Sequence, residues 1–140
     1  MDVIYKDELD LSFLKDSVLV KILFGNTDES YLRKLEETLR PWSGDMEISY
    51  SSNRYLEFNK KGVTKGTALL KLAEILGAKQ EETMAIGDNF NDLAMILDAG
   101  LGVGVANSNP GIIPQCDFIT EKDCDHGAVA EVIEKFVLNA

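Results

Sequence analysis

Cysteine, histidine and proline are scarce: two, one and three in 140 residues. With a single histidine, and with Cys116 and Cys124 not spaced as a C-x-x-C pair, there are too few ligands for a structural zinc site, and reduced, partly buried thiols are expected. Positive charge is also short. Fourteen Lys and Arg stand against 24 Asp and Glu, a formal charge of −10. A negative surface repels both a nucleic-acid backbone and an anionic membrane unless basic residues are concentrated somewhere. The longest basic cluster, Lys60, Lys61 and Lys65, is too sparse to track phosphates. No stretch approaches the about 18 apolar residues of a membrane span, and the N-terminus is acidic where a secretory leader is basic and then apolar. The expectation is a cytoplasmic globular chain with neither nucleic acid nor membrane as partner. Its 45% apolar residues supply a core, and its length amounts to roughly one domain, or one and a piece of another.

Two textures divide the chain. Residues 18–58 read as strand, helix, strand, strand: 18–24, an acidic helix, 46–50 and 54–58. Thr27 or Asp28 is the candidate N-cap, Tyr31, Leu32, Leu35 and Leu39 share one helical face, and Pro41 is a stop. The polar run Ser51, Ser52, Asn53 suits a hairpin turn, so an antiparallel sheet with one helix on it is predicted, with Trp42 packed against it. From Thr64 onward helices and short apolar strands alternate. Helices at 64–76, 91–98 and 128–138 enclose strands at 84–87, 102–106 and 117–120, and Gly77 suits a left-handed helix end. Such alternation means an α/β arrangement, a parallel sheet with helices on both faces. The boundary between the two textures falls at 59–62.

The sharpest motif is Gly87-Asp88-Asn89-Phe90-Asn91-Asp92, directly after an apolar strand and opening a helix. In open parallel sheets, functional groups gather at the carboxyl ends of strands, where Asp88 lies. Asp92, four residues on, returns to the same side if a helix starts near Asn89. Two converging carboxylates make a hard-oxygen site suited to Mg²⁺ with several retained waters, and Asn91 adds an amide. The plainer alternative is an acidic helix cap whose carboxylates merely complement the dipole. Competing motifs fail on spacing. A helix-loop-helix calcium loop wants oxygen ligands at positions 1, 3 and 5 and glycine at 6, where this run has Phe90 third and Leu93 sixth. In Gly62-Val63-Thr64-Lys65-Gly66 the lysine precedes the glycine, against the P-loop order. Gly100, Gly102 and Gly104 enter a strand rather than leave one, so they are no dinucleotide fingerprint.

The order "VTKG", "GDNFND" and "GVGVANSNPG" over 59–138 closely resembles the C-terminal core of haloacid dehalogenase superfamily phosphatases, in their Cof-type sugar-phosphatase branch. The resemblance implies a partial α/β cap with antiparallel strands over 1–60 and the C-terminal half of a Rossmann-like core over 61–140. It also implies Mg²⁺ held by Asp88 and Asp92, Lys65 close to the transferring phosphoryl group, and Asn91 as a polar contact at the phosphate. The activity implied is hydrolysis of a small phosphorylated, sugar-phosphate-like metabolite through an aspartyl-phosphate. Asn107 or Asn109 would stand near the site, and Ser108 occupies a position where the branch commonly has alanine.

The family's nucleophile motif, D-x-D-G-[TS], does not occur in these residues. The only aspartates two apart are Asp123 and Asp125, and His126 breaks the continuation, so Asp125 reads as a loop or capping residue. The Ser or Thr that ends the family's second core strand is missing as well. The chain is therefore expected to be a C-terminal portion, inactive alone. The alternative is a non-catalytic metal- or phosphate-binding module, or one half of a split protein. Without the nucleophile strand, the strand at 84–87 is left as a sheet edge, and open edges seek partners. A homo-oligomer, a swapped dimer, or cover from residues 1–14 is the expected response.

Overall fold

In β1 (Lys21–Gly25), β2 (Met46–Ser51) and β3 (Tyr55–Lys60) alternate side chains point to opposite faces, and the antiparallel register decides which residues share a face. The computed structural model describes residues 11–52 and 54–139. Phe58 stands opposite Ile22 and Ile48, and Leu56 opposite Phe24 and Tyr50, in the strand order β1-β3-β2. These six make one apolar face. Helix α1 (Glu29–Leu39) lays Leu32, Leu35 and Leu39 on it, closing a core around Leu32, Leu56 and Phe58, with the Phe24 and Phe58 rings edge to face at 5.9 Å. Asp28 is the N-cap, accepting from Ser30 N and Tyr31 N, and the helix runs into a 3-10 turn containing Pro41. The opposite face of the sheet is polar: Lys21, Glu47, Ser49, Glu57 and Asn59 lie on it.

Two expectations shift here. The first strand begins at Lys21 rather than at residue 18, because the ladder with β3 starts at the Lys21–Asn59 pair; Val18 is 90% exposed. Trp42 is 74% exposed instead of packed. The turn expected at 51–53 holds Ser52 at a positive φ of 52°, while residue 53 lies outside the described residues.

In the second texture, Thr64 caps α2 (Lys65–Leu76) through a reciprocal box with Thr67, and the helix ends at Gly77 with φ 71°. Helix α2 packs on α3 (Leu93–Asp98) so closely at Gly66 that a Cβ there would come within 2.6 Å of the Ala94 carbonyl oxygen. Strands β4 (Met84–Gly87), β5 (Leu101–Gly104) and β6 (Phe118–Ile119) form the expected parallel sheet in that order. Ala85, Val103 and Ile96 are buried in its core. Strand β5 stops at Gly104, two residues earlier than expected, because the Val105 N–H turns to Ser108 Oγ at 2.8 Å. Helix α4 (Ala128–Ile133) passes into a π turn over Glu134–Leu138, where Phe136 meets Phe118 edge to face at 5.2 Å.

Among the described residues β4 pairs only with β5, leaving its other edge open. The suggestion that residues 1–14 cover that edge rests mainly on 1–10, which lie outside the described residues; Ser12–Leu14 forms a short 3-10 turn. No helix among the described residues is long and apolar enough to cross a membrane. Close approach at Gly66 is testable: Gly66→Ala forces α2 and α3 apart and is expected to cost about 1–3 kcal/mol in urea unfolding, an unchanged midpoint being the contrary result.

Candidate active site

The site is organised by Asp92, a carboxylate only 5% exposed at the N-terminus of α3. Its Oδ2 accepts the backbone N–H groups of Asp88 (3.1 Å) and Asn89 (3.4 Å), and its Oδ1 takes a short hydrogen bond from Lys65 Nζ. Residues 88–91 are thereby held as a turn and α3 begins at Leu93, two residues later than the sequence pattern suggests. The turn packs so tightly that a Cβ on Gly87 would lie 2.4 Å from Asp92 Cβ, which is why glycine precedes Asp88. From the other side, Ser108 Oγ donates to the Gly87 carbonyl (3.3 Å) and Asn109 N donates to the Asp88 carbonyl (2.8 Å).

The four residues singled out, Asp88, Asn91 and Asp92 in the motif and Lys65 by the resemblance, have distinct positions. Lys65, first residue of α2, is half exposed and reaches across to Asp92. Asp88 lies at the tip of β4 with much of its surface open to solvent, and the partial burial of its carboxyl together with the neighbouring Asp92 carboxylate raises its pKa above the ordinary value. Asn91 lines a cleft together with Lys65. Lys65, Asp88 and Asp92 are thus brought into one cluster, with Asn91 at its margin. The donor set suits a hard cation: two adjacent carboxylates repel one another, and Mg²⁺ characteristically takes one or two carboxylates plus waters and substrate oxygens. Both Asp92 oxygens already accept hydrogen bonds, so Asp88 would be the direct ligand of a cation, with Asp92 behind it. No cluster of three or more His, Cys, Asp or Glu exists among the described residues.

The cleft, about 390 Å³, lies between this loop and the polar face of the antiparallel sheet. Glu57 is the group there that sequence reasoning missed. Its Oε2 accepts from Lys21 Nζ and its Oε1 from Ser51 Oγ, both at 2.5 Å. Burial pushes the carboxyl up, but these two hydrogen bonds outweigh it and hold the pKa below the ordinary value. A signal was available: a carboxylate between Leu56 and Phe58 can only face away from the apolar core. Ser108 was likewise a mere oddity in sequence; in the structure it brackets two loops. Asn109 reaches the site through its backbone, while the Asn107 side chain pairs with Cys124. Asp123, rather than Asp125, is the capping residue of its loop, accepting from Asp125 N (3.0 Å) and pairing with His126 Nδ1 (2.5 Å).

A family model of haloacid dehalogenase-like hydrolases matches residues 3–133. The chain belongs to the haloacid dehalogenase-like hydrolase family. Within the family it is 37% identical over 125 residues to the 5-amino-6-(5-phospho-D-ribitylamino)uracil phosphatase YcsE of Bacillus subtilis, covering 89% of this chain and 49% of that protein. It is 36% identical over 103 residues to a phosphoglycolate phosphatase of Methanothermobacter thermautotrophicus, covering 74% and 45%. A haloacid dehalogenase-like hydrolase from Bacteroides thetaiotaomicron superimposes with a TM-score of 0.72 at 34% identity, over 93% of this chain and 48% of the other. The chain spans about half the length of the curated relatives it matches.

Two pH-dependent outcomes follow from the carboxylates. Asp88 has a folded pKa above its unfolded value near 3.8, so its charged form opposes folding once the pH exceeds the folded pKa, and the penalty is absent below 3.8. Asp88→Asn is expected to raise the metal-free melting temperature at pH 7 and to change nothing at pH 3; a lowered melting temperature at pH 7 would contradict this. Glu57 has the opposite sign: its lowered pKa contributes stability above about 4.5 that is lost as pH falls through the folded value. Glu57→Gln should cost about 1.5–3 kcal/mol at pH 7, the gap closing below pH 3 in parallel urea titrations.

Proposed function

We propose that the chain is the metal- and phosphate-holding portion of a phosphomonoesterase that acts on a small phosphorylated, sugar-phosphate-like metabolite in the cytoplasm. The observation that carries this reading is the Lys65–Asp92 ion pair set beside Asp88 at the end of a parallel strand, with Lys65 also lining a cleft. Phosphoryl transfer asks chiefly for neutralisation of charge on the phosphate oxygens and for positioning, both of which fixed side chains supply. Lys65 keeps an ammonium at the cleft in a protein otherwise of net charge −10. Asp88, with Asp92 behind it, would hold Mg²⁺, whose contribution when bound is to polarise a phosphoryl oxygen. Asn91 is placed at the same wall of the cleft to hydrogen-bond the phosphate.

The phosphoryl acceptor belongs to another segment, because no D-x-D-G-[TS] occurs in the 140 residues. A strand carrying it would pair along the open edge of β4 and deliver its carboxylate next to Asp88; a second copy or a swapped element could use the same edge. The relatives named above bear the names of phosphatases with dissimilar leaving groups, a ribitylaminouracil and a glycolate, which supports ester hydrolysis as the shared chemistry. The self-contained clamp around Asp92 also favours a second reading, a binding module that holds metal and phosphate without turnover.

Calorimetry decides between these and no function at this site. Mg²⁺ titrated into the 140-residue chain should give saturable heat at millimolar concentration that Asp88→Ala abolishes, and with p-nitrophenyl phosphate no hydrolysis should exceed that of the variant. Absence of Mg²⁺ heat overturns the reading, and Asp88-dependent hydrolysis would place a nucleophile within these residues.

A further inference from the structure

The backbone on either side of Asp88 is held at four points. In the Gly87–Asp88 peptide, the N–H donates to Asp92 Oδ2 at 3.1 Å and the carbonyl accepts from Ser108 Oγ at 3.3 Å. In the Asp88–Asn89 peptide, the carbonyl accepts from Asn109 N at 2.8 Å and the N–H reaches Asp92 Oδ2 at 3.4 Å. Both peptide planes that meet at the Asp88 Cα are therefore gripped at both ends, by Asp92 from within the turn and by residues 108 and 109 from the neighbouring loop. A residue has only two soft backbone torsions, so fixing both planes fixes φ and ψ of Asp88 and leaves it the torsions of its side chain alone.

Two of these four hydrogen bonds come from Asp92, and a third from a backbone N–H that any residue but proline supplies at position 109. The fourth depends on one side chain. Ser108 is buried, and its Oγ accepts the Val105 N–H at 2.8 Å, which leaves the hydroxyl proton for the Gly87 carbonyl. The Ser108 N–H donates back to the Val105 carbonyl at 2.9 Å, so the turn that carries the hydroxyl is itself closed. The peptide it holds follows a glycine, where no side chain resists rotation. Rotation of that peptide would take the N–H off Asp92 and leave a buried hydroxyl and the Gly87 carbonyl without each other, which is unfavourable.

We propose that Ser108 is a positioning residue: its hydroxyl fixes the Gly87–Asp88 peptide, and with it the direction from which Asp88 offers its carboxylate to a divalent cation. The proposal rests on the preceding reading, in which Asp88 is the direct ligand. A ligand already held in its binding geometry loses less freedom when the cation arrives, and removing a group that orients a metal ligand typically weakens binding by about 10–100-fold.

Mn²⁺, a cation that carboxylate and water oxygens suit and whose free form is read by electron paramagnetic resonance, is the probe. Titrated into the 140-residue chain, it should bind about tenfold more weakly to Ser108→Ala and not at all to Asp88→Ala. Thr120→Val removes another buried hydroxyl, one that donates to the Lys122 carbonyl at 2.5 Å, and should leave the affinity within about twofold, because that hydroxyl holds neither peptide of Asp88. A Ser108→Ala affinity within twofold of the unsubstituted chain, or an equal loss in Thr120→Val, overturns the positioning role and leaves Asp88 standing as the ligand. No Mn²⁺ binding by the unsubstituted chain, or binding that survives Asp88→Ala, removes the metal reading and this one together. Metal-free amide exchange gives a second readout. The Asp88 N–H should exchange at least about a hundredfold more slowly than an unprotected amide and lose about tenfold of that protection in Ser108→Ala. Exchange at the unprotected rate in the unsubstituted chain overturns the proposal even if Ser108→Ala does not fold.

Discussion

A buried carboxylate has to be paired, and much of this site is arranged to pair one. Asp92 is withdrawn from water between an ammonium from the start of α2 and two consecutive backbone N–H groups from the turn after β4. Charge-assisted hydrogen bonds are the strong ones, and removal of one partner leaves the other desolvated and uncompensated. Lys65 can reach Asp92 because Gly66 lets α2 lie against α3, and the N–H groups can converge because Gly87 leaves room for the Asp92 side chain. The turn that presents Asp88 is thus a consequence of satisfying Asp92. The acidic pair that results is unfavourable for Asp88, whose neutral form is favoured by burial and by its neighbour. Local instability of this kind is expected where a cation is to be received.

The antiparallel sheet repeats the same economy with two faces. Leu56 and Phe58 point into the core under α1, while Glu57 between them points over the cleft and finds Lys21 and Ser51. A single strand therefore supplies both packing and a polar wall, and the alternation of side chains leaves no other way to divide the work. The Lys21–Glu57 pair is a balanced charge, whereas Glu47 on the same wall accepts only the Gly62 N–H at 3.0 Å. Lys65 and Asn91 line the same cleft from the side of the parallel sheet.

Loop chemistry joins the two strand ends. Ser108 takes the Val105 N–H and gives its own hydroxyl to Gly87, and the Asn109 N–H closes on Asp88, so that the ends of β4 and β5 are tied at the level of the site. This accounts for the early stop of β5, which propensity did not foresee: a side-chain hydroxyl competing for a backbone donor ends a ladder that apolar residues would have continued. The same competition delays α3, where Asp92 satisfies N–H groups that a helix starting at Asn91 would have left to water.

The antiparallel hairpin, the parallel βα alternation and the convergence of Asp88 and Asp92 were legible in residue order, because alternation, helical spacing, caps and strand-end motifs are local patterns that short segments carry in themselves, whereas Lys65 was joined to them only by the family resemblance. What the sequence by itself determined was which faces are apolar and which residues crowd the tip of β4. Only the tertiary structure decided that Glu57 meets Lys21 thirty-six residues away and that both Asp92 oxygens are spent on Lys65 and the turn. Those pairings depend on how separate segments meet in space, and a contact between distant segments is set by packing geometry that no local period encodes.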